Sequence, residues 1–358
     1  MIITIIIFIL TLLVLVVIHE FGHFLLAKRF GILVKEFGFG IPPRIWGKKI
    51  GETIYSLNWL PFGGFVKLLG EEDSHEGSPE RNFANKPVWQ RITVVVAGVV
   101  MNLILAWVLF YIVIASQNFR VISPSIDQGV YISKVEENFP AKEAGIKTGD
   151  RLLSVDGKAV SDFDEAKKFI KEKGASAILL KLKDNKGMER EVSLFTKEVD
   201  GNRLIGVVFT PFLIKEFNTP IEKIFSGITY SFDLIGLTFA GLGKTISQLV
   251  AGDFGRVSQS VSGPVGIAAM SGEILQGGWQ AAVPYLWFVG IISLTLAIFN
   301  IFPIPALDGG RLLFLLIEAI TKKKVKAEIE NIIHQVGFAV LITLALLVTY
   351  SDIKKFFP

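Results

Sequence analysis

The sequence predicts a polytopic α-helical membrane protein with four transmembrane helices and one inserted α+β domain. Three observations carry that expectation. Hydrophobic residues make up 51% of the 358 and mean hydropathy is +0.52, whereas soluble domains hold ~45–50% apolar residues by a count that also includes glycine. Four stretches approach the ~20 apolar residues that span a hydrocarbon core. Between the second and third lies a long polar region broken into short alternating apolar runs.

The first span begins at Ile2 and runs through Ile18 as Ile, Leu, Val, Phe and two Thr. A signal peptide is the plain alternative for an apolar N-terminus. It fits poorly, because there is no basic n-region and no small-x-small cleavage site before Lys28. Ile92 to Ala115 is the second span, with Asn102 its only strongly polar residue. Val283 to Phe302 and Ile332 to Tyr350 are the third and fourth. Ten Lys or Arg lie between Lys28 and Arg91, and Arg311 with "KKKVK" separates spans three and four. The positive-inside rule makes both loops cytoplasmic and both termini external.

Tyr131 to Val208 alternates β-like runs ("VYISKV", "RLLSVDG", "AILLKLK", "EVSLFT", "LIGVVF") with helical stretches around "PAKEAG" and "DFDEAKKFIKEK". This reads as a compact α+β module of ordinary domain size. Ile224 to Val250 is long enough to span, but it carries Asp233, Lys244 and several glycines. A crossing there would place the following Lys cluster outside, against the charge rule, so the stretch reads as an interfacial or bundle-packed helix. The net charge of +4 (37 Lys plus Arg, 33 Asp plus Glu) fits cytoplasmic loop bias, and no basic array interleaved with aromatics points to nucleic acid. Cysteine is absent, which excludes disulfides and thiolate metal sites.

One stretch conflicts with its surroundings. "LVLVVIHEFGHFLLAKRF" places two histidines and a glutamate within five positions of an apolar helix, where each ionisable group costs ~2.5–3.5 kcal/mol unless something binds it. "HEFGH" is H-E-x-x-H: His19 and His23 share one helical face and can ligate one Zn²⁺, with Glu20 beside the open coordination position. A catalytic zinc takes three protein ligands. The third must be His75, His334 or a carboxylate, since there is no cysteine. His75 lies in a polar loop and His334 opens span four; the strongest candidate is Asp308 in "FNIFPIPALDGGRLL", where two prolines break the helix. A helix N-cap is the structural alternative for Asp308. His19 stands 17 residues past Ile2, about 26 Å along a helix, near the inner edge of a ~30 Å core. Glu20 as proton acceptor and donor beside a zinc-activated water would hydrolyse a peptide bond within or just under the bilayer.

These residues in this order resemble the site-two protease family of intramembrane zinc metalloproteases, in its bacterial RseP-like (RIP metalloprotease) branch. The resemblance covers nearly the whole chain: "HEFGH", "FANKPVWQRITVVVAG", a single PDZ-like module around "PAKEAGIKTGDRLLSVDGKAV", "SGPVGIA", "NIFPIPALDGGRL" and "GFAVLITLALLVTYSDI". It implies zinc held by His19, His23 and Asp308, with Glu20 as general base. Asn300 matches an Asn thought to hold the unwound substrate backbone; a helix-ending cap is its alternative. "FGFGIPPRIWGKKIGETIYSLNWLPFGGFVKL" resembles a membrane-associated β-hairpin region that would pair edge-on with an extended substrate, or serve structure alone. The expected organisation is a first transmembrane helix over 1–30, a membrane-associated β region over 31–90, a second helix over 91–115 and the PDZ-like domain over 116–212. An interfacial helix and linker over 213–280, a third span with L-D-G over 281–320 and a fourth over 321–358 complete it. Implied partners are the bilayer and single-span membrane substrates such as anti-sigma factors or remnant signal peptides, with a peptide or ectodomain at the PDZ-like module. The implied place is the bacterial cytoplasmic (inner) membrane, with the site near its cytoplasmic side. The chain departs from many relatives at Val99, where they carry Pro, and lacks a second PDZ-like repeat.

Two other classes fit the sequence less well. A metal transporter needs polar positions on both sides of the bilayer, and spans two and four offer almost none. A non-catalytic peptide-capturing scaffold would lack stoichiometric metal.

Overall fold

The computed structural model describes residues 2–71, 78–123, 129–172, 176–184, 187–199, 202–210, 212–253, 255 and 261–356. Its chain forms two units, one of residues 1–113 with 242–358, the other of residues 114–241.

In the first unit, helix α1 (Ile2–Arg29) continues eleven residues beyond the apolar run and ends on Lys28 and Arg29, where basic groups complement the helix dipole. Strands β1 (Val34–Ile50) and β2 (Thr53–Leu68) follow. Their register doubles back: Phe37 pairs with both Val66 and Tyr55, and Gly38 with both Phe65 and Ser56. The proximal part of β1 is therefore flanked on both sides. That part is buried, with Phe37 5.3 Å from the Phe24 ring of α1 and Val34 and Leu68 in a cluster with Ala27, Ile32 and Val94. The distal part is exposed from Ile41 onward, with Trp46 at 59% and Trp59 at 67%, the amphipathic aromatics favoured at membrane surfaces.

Helix α2 (Val88–Ser116) leaves this unit at its C-terminal end. Among the described residues, four helical segments are long and apolar enough to cross a bilayer: Ile3–Arg29, Val88–Ser116, Gly278–Ile301 and Glu328–Lys355. The expected polytopic helical architecture thus holds.

The second unit carries short strands β3 (Arg120–Ser123), β4 (Val130–Val135), β5 (Arg151–Val155) and β6 (Lys158–Ala159), with helices α3 (Pro140–Glu143) and α4 (Phe163–Glu172) between and after them. Strands β7 (Ile178–Lys183), β8 (Glu189–Leu194), β9 (Lys197–Val199), β10 (Asn202–Leu204), β11 (Val207–Thr210) and β12 (Leu213–Glu216) follow. The main sheet runs β11-β4-β5-β7-β8, while β12 pairs antiparallel with β3 and closes the module's entry and exit. Ile178, Leu180 and Leu182 alternate inward on β7 against Ala166 and Ile170, one turn apart on α4, at ~1.5–3 kcal/mol for each large side chain fully buried. The runs read as strands and helices in the sequence are these elements. Helix α5 (Pro220–Ile224) opens with a Thr219–Glu222 capping box and leads into α6 (Ser226–Val250). The stretch 224–250 is thus largely helical, and α6 is not among the four candidate spans found among the described residues.

Back in the first unit, α7 (Pro264–Leu275) has Gly263 at its N-cap and no cap from its own chain neighbours. The buried Asp352 carboxylate, 89 and 86 residues away, accepts from Gly263 N at 2.9 Å and Gly266 N at 2.8 Å. Helices α8 (Ala282–Ile301), α9 (Asp308–Thr321) and α10 (Ala327–Phe356) complete the unit.

Candidate metal centre

The site begins with helical spacing. His19 and His23, one turn apart on α1, are 8% and 9% exposed and face α2. That close approach requires two glycines. A Cβ on Gly22 would lie 2.7 Å from the Ala97 carbonyl carbon, and a Cβ on Gly98 would lie 2.7 Å from His19 Cε1. Three positions of α2 spaced four apart then meet the histidines. Val94 O lies 2.8 Å from His23 Nδ1, Gly98 leaves room for both rings, and Asn102 Nδ2 lies 3.3 Å from His19 Nδ1. With its Nδ1–H donated to the Val94 carbonyl, His23 keeps the Nε2 lone pair free for a metal.

The third group arrives from a broken helix. Helix α8 ends at Ile301 and Phe302 is extended; past Pro303 the chain turns through Pro305 and Ala306, with Leu307 N–H donating to Ile304 O at 3.2 Å and Ala306 at φ 76°. Helix α9 then starts at Asp308 as its first helical residue, with Leu307 at the N-cap. The N-cap alternative is therefore not the role it takes. Gly309 and Gly310 let α9 nest against the chain it has just left: a Cβ on Gly310 would sit 2.6 Å from Ile304 O. From α10, His334 Nδ1 accepts from Ala306 N at 2.8 Å, and Gly337 lets that helix pass the loop, where a Cβ would lie 2.9 Å from the Pro305 carbonyl carbon.

Asp308 Oδ2 lies 2.9 Å from His19 Nε2 and 3.3 Å from His23 Nε2, and the two Nε2 atoms are 3.2 Å apart. Metal–nitrogen and metal–oxygen bonds of 2.0–2.2 Å in tetrahedral array require ligand atoms about 3.3–3.6 Å apart. The triangle is close to that size. Asp308 Oδ2 is also buried without a hydrogen bond, the state of an acceptor awaiting a cation. Two imidazoles and one carboxylate suit zinc. Among the described residues, these three form the group that could hold a metal.

Glu20 lies against β2, where Gly64 gives it space: a Cβ there would be 3.3 Å from Glu20 Cγ. A cavity of about 220 Å³ is lined by Glu20, His23, Asp308, Phe65, Val66 and Arg311, among others. Arg311 pairs with Glu71, whose other oxygen accepts from Leu68 N at 3.2 Å. Beyond that pair a second cavity of about 500 Å³ contains Arg91, bidentate on Glu318, with Lys324, Glu330 and His334.

The structure thus brings His19, His23 and Asp308 to one point with Glu20 in the adjoining cavity. Asn300 stands half-buried at the end of α8 with no side-chain hydrogen bond among the described residues. His334 holds the 303–306 loop and is not in the cluster. His75 lies outside the described residues. Sequence reasoning missed Val94 and Gly98. A backbone carbonyl carries no signature in the sequence, and Gly98 stands out only as a small residue in a run of valines.

The model of peptidase family M50 matches residues 7–344. A putative zinc metalloprotease of Clostridium perfringens is 37% identical, the match covering 95% of each chain. The regulator of sigma-W protease RasP of Bacillus subtilis is 30% identical over 99% of each. Among solved structures, the PDZ domain of the SdrC-like protein of Listeria monocytogenes matches 25% of this chain and 94% of its own, with 22% identity and a TM-score of 0.22.

Proposed function

The chain belongs to peptidase family M50 and is a membrane-embedded protease; on that premise we propose that it cuts single-span membrane proteins within or just beneath the bacterial cytoplasmic membrane. The observation that carries this reading is the convergence of His19, His23 and Asp308, at 2.9–3.3 Å from one another, beside a cavity lined by Glu20. Zinc, when bound by those three residues, supplies a Lewis acid that lowers the pKa of a water to ~7 and polarises a carbonyl. The Glu20 carboxylate accepts the proton of the attacking water and returns it to the leaving amine nitrogen. Val94 O keeps the His23 tautomer that such binding needs.

A helical peptide bond is shielded by its own hydrogen bonds, so a substrate must be drawn out as an extended strand before attack. Residues Phe65 and Val66 of β2 line the same cavity as Glu20, which supports edge pairing of the unwound segment there. Asn300 would hold the substrate backbone, a role taken from the resemblance. The relative named regulator of sigma-W protease supports an anti-sigma-factor-like substrate, and remnant signal peptides have the same single-span form. The Lys and Arg near both reactive elements support a site at the cytoplasmic side. In the inserted module, a groove of about 320 Å³ is lined by Phe139, Ile170, Val207 and Phe209, with Lys167 and Lys171 on α4; it fits a peptide laid along the edge strand β11.

The test is Glu20→Gln in the full chain. Zinc content should stay at one per chain while cleavage of a single-span substrate falls at least ~100-fold. Undiminished cleavage with zinc retained would remove Glu20 from the mechanism.

A further inference from the structure

The environment of His19 is incomplete in a way that its proposed role resolves. Its Nε2 faces Asp308 Oδ2 at 2.9 Å and His23 Nε2 at 3.2 Å, so a metal at that point takes the Nε2 lone pair. The ring proton must then reside on Nδ1, which needs an acceptor in a buried setting. Nδ1 lies 3.3 Å from Asn102 Nδ2, a donor. Asn102 Oδ1 is meanwhile buried with no partner. As placed, the amide nitrogen suits the opposite tautomer, with the proton on Nε2, where it would occupy the lone pair a metal needs. A half-turn of the Asn102 amide about its last bond keeps its shape, brings Oδ1 to Nδ1–H, and satisfies both groups together.

We propose that Asn102 is a positioning residue for the metal centre: its side-chain oxygen accepts the His19 Nδ1 proton and fixes the tautomer whose Nε2 binds the metal. Asn102 is 1% exposed, so its amide faces the ring and not water, while its backbone oxygen separately accepts from the buried Ser293 Oγ at 2.7 Å. His23 receives the same service from the Val94 carbonyl two turns earlier on α2. One helix therefore orients both imidazoles, with a backbone carbonyl for one and an amide for the other, while Gly98 between them stays clear. Partners of this kind are worth ~10–100-fold in metal affinity.

The inference rests on the metal-site reading, and its test separates the two. Zn²⁺ affinity is measured by chelator competition on the purified full chain for wild type, Asn102→Leu, Asn102→Asp and Ser293→Ala. Asn102→Leu, similar in size but without an acceptor, should weaken zinc ~10–100-fold. Asn102→Asp keeps an acceptor oxygen, and Ser293→Ala removes the α2–α8 bond but leaves the amide, so both should stay within about threefold of wild type. Should Asn102→Leu not purify as one species, Asn102→Ala is measured in its place. Wild-type affinity in the acceptor-free variant, or equal losses in Asp and Leu variants, would overturn the role of Asn102 alone. A wild-type chain that takes up no zinc would overturn the metal reading and this inference with it.

Discussion

At the scale of single residues, the site depends on groups with no chemistry of their own. Gly98 has no side chain, yet a Cβ there would come within 2.7 Å of His19 Cε1 and closer still to His23 Nε2. Gly98→Ala should therefore displace the imidazoles while leaving the surrounding apolar contacts intact. Proteolysis is expected to fall ~100-fold, the effect of misplacing a reacting group by about 1 Å, with an unfolding midpoint that moves little; a fully active Gly98→Ala chain would show that α1 and α2 are not held this closely. The ligand candidates were legible in the sequence because ionisable residues in an apolar run demand a partner. Their supports were less so. Asn102 was visible as a lone polar residue in span two, but only the packing of α1 on α2 pairs it with His19, 83 positions away.

At the scale of elements, distant parts of the chain hold one another by single polar contacts. The loop before Asp308 carries Ala306 in a left-handed conformation, φ 76°, which a residue with a Cβ seldom adopts. His334 of α10 accepts its N–H at 2.8 Å. His334→Leu would leave that amide without its acceptor, a loss of ~1–3 kcal/mol. A lower thermal midpoint together with weaker zinc binding is the expected result, since the same loop carries Asp308. Asp352 serves α7 in a similar way through Gly263 N and Gly266 N. Asp352→Ala is expected to cost at least ~2 kcal/mol in denaturant or thermal unfolding, with zinc affinity unchanged because α7 supplies no ligand. The helix breaks at Pro303 and Pro305 could be read directly from the sequence. The identity of what holds the broken segment could not, because His334 sits 28 residues on, in a helix that reads as an ordinary span. The doubled register of β1 and β2 was equally hidden: alternation gives strands, whereas pairing on both sides of residues 36–39 depends on where β2 folds back.

At the scale of the whole molecule, the sequence separates two solvents. Long apolar segments alternate with a polar insert whose core obeys the period-two and i, i+4 patterns of a soluble domain. That division was legible because hydropathy and periodicity are properties of local sequence. The coincidence of His19 and His23 with Asp308, 285 residues beyond His23, is a property of helix packing, and the whole site depends on it. The most direct test is zinc X-ray absorption on the purified full chain, beside an Asp308→Ala variant. One zinc per chain is expected, with two imidazole nitrogens and carboxylate oxygen at about 2.0–2.2 Å, and the carboxylate contribution should be lost in the variant. A chain without zinc, or a metal shell that the Asp308→Ala change leaves unaltered, would contradict it.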